Sequence, residues 1–179
     1  MARQRQLNDI PFNDRLILFR YMLNLFGKTS LDSLAGALNH SDYEGLTESQ
    51  NTRFWEYLDR QIFLKPEGVQ LSRDELRRYD ENICRYVRQI GHNRGGLQLK
   101  YFQYIALLFT EIYLDRYFVD RKAFAASLNA FARDKEAETL GLLEVSPFTP
   151  EGMNKLAFMS ATGSGKTLIM HCNILQFLY

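Results

Sequence analysis

The sequence predicts a mainly α chain whose last residues turn into the opening of an α/β unit. Apolar residues recur at helical spacing through residues 1–135. Near the end the rhythm changes to a short apolar run, a glycine turn and an apolar helix, "KLAFMSATGSGKTLIMHCNILQFLY". A composition of 46% hydrophobic and 24% charged residues excludes a disordered chain, and 13 Phe with 10 Tyr suit an aromatic-rich helical core.

Each element follows from its local pattern. "NDRLILFRYMLNLFGK" carries apolar residues at 16, 17, 19, 22, 23, 25 and 26, a helical rhythm that Gly27 stops. "SLDSLAGALN" predicts a shorter helix from Ser30. "TESQNTRFWEYLDRQIF" opens with Thr47 and Gln50 spaced as a capping box, and "KPEG" breaks the helix that follows. "SRDELRRYDENICRYVRQIG" repeats the device with Ser72 and Glu75 and ends at Gly91. "LQLKYFQYIALLFTEIYLDRYF", residues 97–118, is apolar on nearly every side and predicts a central helix wrapped by the others. "DRKAFAASLNAFARDK" adds a helix with Phe124, Leu128 and Phe131 on one face.

Residues 136–153 have Gly and Pro punctuation without helical period and read as a connector. "KLAFMSA", residues 155–161, has the length and type of a buried strand. The expected organisation is a helical accessory domain over 1–135, a connector over 136–153, and the start of a nucleotide-binding domain over 154–179.

A net charge of +1 gives no global basic field to announce nucleic acid. Cys84, Cys172, His40, His92 and His171 lack metal-ligand spacing, and the thiols read as structural in a reducing compartment. The polar N-terminus has no signal-peptide core, and no apolar run reaches the roughly 18 residues a membrane helix needs. A cytoplasmic protein without a membrane partner is expected. Arg73, Arg77, Arg78, Arg85, Arg88 and Arg94 interleave with Asp74, Glu75, Asp80 and Glu81, which predicts an ion-paired solvated face over a nucleic-acid track. Glu111 and Asp115, one turn apart, are expected to pair with Arg116 or Arg121, and Trp55 to pack in the core.

The chemistry concentrates in "ATGSGKT", Ala161 to Thr167. Gly163 and Gly165, flanking Ser164 and following Thr162, lack Cβ atoms, so the backbone can turn its amides around an anion. The helix that starts near Gly165 adds its positive end and its unpaired N–H groups. Lys166 would reach the β- and γ-phosphates of a nucleotide, and Thr167 would place its hydroxyl on a bridging Mg²⁺. A lysine in a helix's first turn opposes the helix dipole, which makes a purely structural role an odd choice. The full G-x-x-x-x-G-K-[ST] pattern is not met, because Ser160 stands at its first position.

"A-T-G-S-G-K-T" resembles motif I of superfamily 2 helicases and translocases, where the first glycine is commonly replaced. It is most similar to DEAD/DEAH-box proteins of the type III restriction enzyme Res-subunit kind, whose motif I reads M-A-T-G-[ST]-G-K-T after an apolar strand. Ser160 occupies the place of that methionine. The resemblance implies a RecA-like ATPase that binds ATP and Mg²⁺ through Ala161, Thr162, Gly163, Ser164, Gly165, Lys166 and Thr167. It implies a helicase or translocase acting on nucleic acid, DNA foremost, in restriction or phage defence beside a methyltransferase, nuclease or other defence subunit. In such proteins an "R-x-Y-Q" segment precedes motif I and its glutamine contacts adenine; "LKYFQ" looks like that segment and makes Gln103 the adenine reader. The spacing from Gln103 to Lys166 is longer than usual there, which a helical insertion over 120–135 and the connector would explain.

Hydrolysis in this class also needs an acidic D-E-x-[DH] box and an arginine from a second RecA-like domain. Neither is in the sequence, which ends in an apolar helix without a stop signal. The expectation is the N-terminal part of a larger enzyme, catalytically inactive alone. The alternative is a non-enzymatic helical interaction module with an incomplete nucleotide site.

Overall fold

The computed structural model describes residues 10–92 and 96–179, and over these the chain is mainly helical. The polar stretch 1–9 and Arg94 lie outside the described residues. The first predicted helix is two: α1 (Phe12–Arg15) and α2 (Ile17–Leu25) meet at Leu16, whose ψ of 82° leaves the helical region. Ser30 caps α3 (Leu31–Ala35), which tightens into a 3-10 turn over Gly36–Leu38.

The cap of α4 (Arg53–Phe63) is Thr52, not Thr47, and this corrects the sequence reading. Gln50 takes a φ of 65° and Thr47 accepts its amide, so residues 47–51 form a turn and not a helix start. Thr52 Oγ1 then accepts from Trp55 N at 3.0 Å, while its own N–H donates to Asp80 Oδ2 at 2.9 Å. A tertiary partner thus chose between two sequence-compatible caps. In α5 (Arg73–Gly91) the Ser72–Glu75 box forms as expected, with Ser72 N donating to Glu75 Oε2 at 2.7 Å.

The next element, α6 (Tyr101–Glu138), starts at residue 101 and runs through both predicted helices, yet Asp120 breaks it with φ −156° and ψ 87°. Asp120 Oδ1 accepts from Ala123 N at 2.9 Å, capping the second half. The first half buries Gln103, Tyr104, Ile105, Leu107, Leu108, Thr110, Glu111, Ile112 and Tyr113, side chains pointing in every direction. It is the central helix, packed against α2, α5 and the last helix, α7 (Lys166–Leu178). Ile169 and Cys172 of α7 enter the same hydrophobic core as the earlier helices.

The connector is pinned along α6 by polar contacts. Asn129 Nδ2 donates to Phe148 O and Phe148 N donates back to Asn129 Oδ1, both at 2.8 Å. Tyr113 OH donates to Met153 O at 2.5 Å. The chain emerges into residues 155–161, where a strand was expected. None forms: among the described residues the only β pairings are the isolated bridges Phe26–Val69 and Leu46–Thr52. The reason is that a strand needs a ladder partner, and no second extended segment lies alongside.

The arginine face of α5 is ion-paired at Arg73–Asp59, Arg77–Asp74 and Arg78–Asp115. Asp115 therefore pairs with Arg78 and not Arg116 or Arg121, and it also accepts from Tyr79 OH at 2.7 Å. Glu111 forms no ion pair with Arg116 or Arg121; it accepts from Asn82 and Gln176. Trp55 is half-buried and packs against the core.

Asp80 is fully buried and accepts from Asn51 Nδ2, Thr52 N, Thr52 Oγ1 and Tyr104 OH, joining α4, α5 and α6. Burial outweighs these donors and raises its carboxyl above the ordinary 3.8. Asp80→Ala orphans the Thr52 amide and the Tyr104 hydroxyl and is expected to cost about 3 kcal/mol or more in urea denaturation. Because the folded state holds the Asp80 proton more tightly than the unfolded one, stability falls as pH rises from 3.8 through the raised folded value. Asp80→Asn is expected to flatten that slope relative to the unaltered protein.

Candidate phosphate-binding turn

The predicted site residues gather at one corner of the molecule. Gly163 and Gly165 adopt φ of 78° and 79°, values that L side chains resist, and Gly165 is the N-cap of α7. Between them Ser164 N donates to Ala161 O at 3.3 Å, closing a tight turn over Ala161, Thr162 and Gly163. Among the described residues the amides of Gly163, Gly165, Lys166 and Thr167 meet no protein acceptor. Two of these amides belong to the first turn of a 13-residue helix, where the macrodipole favours negative charge.

Lys166 and Thr167 are exposed at this corner. The Lys166 ammonium folds back on the loop and donates to Ser160 O at 3.0 Å and Ala161 O at 3.3 Å. A groove of about 550 Å³ opens beside it, with Ser160, Lys166 and Thr167 among its lining and Leu156, Phe158 and Met170 supplying apolar surface. The arrangement offers free amides, one mobile cation and one free hydroxyl around a shared space, which suits a polyanion.

Gln103 reaches the same turn although it lies 61 positions from Ser164, and Gln103 Nε2 donates to Ser164 O at 2.9 Å. Its Oε1 accepts from Lys100 N at 2.9 Å, so the side chain caps α6 and holds the loop at once. The residue is buried, 7% exposed. One amide proton of Gln103 is left over from these two contacts.

Two further contacts, at the opposite end of α7 from the turn, carry no sequence signal. Gln176 Nε2 donates to Leu107 O at 2.9 Å and to Glu111 Oε1 at 2.8 Å, seating the far end of α7. Both partners lie more than sixty positions upstream, beyond the reach of any local pattern. The thiols take no part in the chemistry. Burial pushes Cys172 up to about 11, and burial with the Asp80 carboxylate pushes Cys84 up to about 12, so both stay protonated at neutral pH. No group of three or more His, Cys, Asp or Glu side chains suited to a metal occurs among the described residues. No helix among them is long and apolar enough to cross a membrane.

Comparison with known proteins finds no matching family model, no matching curated protein and no matching solved structure.

The two glycines separate backbone strain from crowding. A Cβ on Gly165 would stand 2.4 Å from Gln103 Nε2, whereas one on Gly163 meets nothing within 4 Å. Both Gly163→Ala and Gly165→Ala are expected to lose about 1–2 kcal/mol to left-handed backbone strain in chemical denaturation. Gly165→Ala should lose more, and Gln103→Ala should relieve only that excess in the double variant.

Proposed function

We propose that this chain forms the N-terminal part of an ATP-dependent nucleic-acid helicase or translocase, in which residues 154–179 begin a RecA-like ATPase domain and the preceding helices form an accessory unit. The observation that carries the reading is the turn from Ala161 to Thr167: two left-handed glycines, free amides, and Lys166 with Thr167 at the first turn of α7. In this reading the amides of Gly163, Gly165, Lys166 and Thr167 hold the phosphate tail of ATP. Lys166 leaves the Ser160 and Ala161 carbonyls for the β- and γ-phosphates, and Thr167 gives its hydroxyl to Mg²⁺. Such an ion, held by Thr167, would supply positive charge to offset that of the phosphates. Gln103 joins the turn to the base site, its leftover amide proton facing adenine.

The extended residues 155–161 and the outer stripe of α7 support the same reading. Met170, Ile174 and Phe177 recur at i, i+4 and i+7 and are 52%, 53% and 64% exposed. A stripe of this kind is what a helix lays against a sheet, and residues 155–161, which form no strand here, would pair only if such a sheet were supplied by further chain. DNA is the favoured substrate, with a methyltransferase, nuclease or other defence subunit as partner.

A second reading is a non-enzymatic helical interaction module. The same stripe favours it, extended by Phe118, which lies 5.9 Å from Phe177 ring to ring. Nucleotide dependence separates the two. MgATP is expected to bind this chain weakly by isothermal titration, without hydrolysis. Lys166→Ala should reduce the affinity about ten-fold or more, the value of losing one charged set of hydrogen bonds. In a longer protein containing the acidic box, Lys166→Ala should abolish nucleic-acid-stimulated ATPase activity, and Gln103→Ala should narrow the preference for ATP over GTP. MgATP binding that is absent, or indifferent to Lys166→Ala, rejects the motor reading in favour of the interaction module.

A further inference from the structure

The turn is only as well placed as the helix that carries it, and α7 packs on α5 and α6 through Ile169, Cys172 and the half-buried Leu168, with Tyr179 stacked on Tyr86 just beyond its end. Ile169 and Cys172 are its buried hydrophobic residues, and its outer stripe is exposed. Hydrogen bonds to α6 at both ends add direction to that packing. At the N-terminal end Gln103 holds Ser164 O. At the C-terminal end Gln176, 5% exposed, gives both amide protons to α6, one to Leu107 O and one to Glu111 Oε1. Gln103, Leu107 and Glu111 are successive i, i+4 positions, so one face of α6 grips both ends of α7.

The C-terminal grip is built, not incidental. Glu111 is 7% exposed, and its second oxygen accepts from Asn82 Nδ2 of α5 at 2.9 Å, so three helices meet on one carboxylate. Two acceptors fix the Gln176 amide in one orientation, and its Oε1 is then buried without a donor. An orphaned buried oxygen is unfavourable, and the arrangement persists because the charged bond on the other side is stronger.

We propose that Glu111 and Gln176 are a positioning pair that sets the seat of α7 and thereby the place of the Gly163–Thr167 amides. Its consequence for nucleotide rests on the phosphate-site reading above; the seating itself does not. The groups around Glu111 are Asn82, Arg85 and Tyr86 from α5, Asp115 from α6 and Gln176 from α7. Burial raises the Glu111 carboxyl above its ordinary value, and the hydrogen bonds from Asn82 and Gln176 and the charge of Arg85, the cation among them, oppose that rise.

Hydrogen exchange by mass spectrometry on the whole chain tests the pair. Gln176→Leu keeps the volume and removes both donors. Amides of 166–178 should exchange roughly ten- to hundred-fold faster, with those of 73–91 unchanged. Glu111→Gln keeps one acceptor for Gln176 but loses the charge and the acceptor for Asn82, and should fall between the unaltered protein and Gln176→Leu. Gln176→Glu sets two carboxylates together. It should loosen α7 at alkaline pH and tighten it toward the native rate on acidification, as one shared proton restores a donor. Exchange of α7 unchanged in Gln176→Leu overturns the proposal. So does acceleration spread equally over every helix, or a Gln176→Glu effect independent of pH. MgATP affinity, measured on the same proteins, should fall with the loosening. An unaltered protein that binds no MgATP, with the exchange pattern intact, rejects the nucleotide reading and upholds the pair.

Discussion

The carboxylate of Asp80, shut away from water, is the constraint on which the arrangement of helices depends. A buried charge without partners would cost several kcal/mol, and the fold meets that cost with four donors drawn from two other elements. Each donor is thereby fixed in turn. Thr52 becomes the cap of α4, with Asn51 held at the end of the turn before it, and Tyr104 is locked in the first turn of α6, its ring stacked on Phe54 with centroids 5.0 Å apart. Gln103 is the next residue back. The pitch of the first turn of α6, which aims Gln103 at the glycine turn, is therefore set by a carboxylate on α5. Removing that group would disturb the candidate site without touching it.

Apolar packing and polar contacts divide the work along α6. Burial of Leu107, Leu108, Ile112 and their neighbours supplies the driving force, but hydrophobic contact is non-directional and tolerates sliding. Direction comes from hydrogen bonds leaving the same helix at intervals. Gln103 takes the turn, Glu111 takes α7, Tyr113 takes the end of the connector and Asn129 takes its middle. After the turn that ends α6, where Gly141 N donates to Glu136 O, connector backbone groups at Val145, Phe148 and Met153 bond to side chains of α6. Asn129 in particular offers Phe148 one donor and one acceptor, as a neighbouring strand would. What reads in the sequence as featureless chain is guided over the helix surface.

How much of this was legible follows from which interactions are local. The Ser72–Glu75 box, the stop at Gly91, the all-round burial of the first half of α6 and the division near residue 120 are written in spacing, and all are found. The glycine turn is legible for the same reason, since its conformation depends on two residues without Cβ. Thr47 was a plausible cap, and only Asp80, more than thirty positions on, decides for Thr52. Glu111 and Asp115 offered two acids on one helix, and periodicity could not say that one faces Arg78 and the other an amide of α7. Gln103 was singled out by likeness to a motif. Its contact with Ser164 is a tertiary fact that no local pattern encodes. The strand over 155–161 failed in an instructive way, because its apolar composition is real, but β structure belongs to pairs of segments and not to one.

The state of Lys166 bears on how such a turn can hold an anion. Its ammonium already sits on the carbonyls of Ser160 and Ala161, so the positive charge is matched by partial negative charge from the loop itself. That contact closes the turn and keeps the amides of residues 163–167 together before anything arrives. A phosphate must therefore draw the ammonium away from two neutral acceptors, which it can do because a charged acceptor bonds roughly twice as strongly. On the phosphate-site reading the lysine would act twice, as a brace for the turn seen here and as a ligand for a bound phosphate. The exchange is favourable only for a group carrying enough negative charge to outbid both carbonyls. On the phosphate-site reading, a turn braced in this way would favour strongly charged anions over weak ones, because only the former repay the loss of both carbonyl contacts.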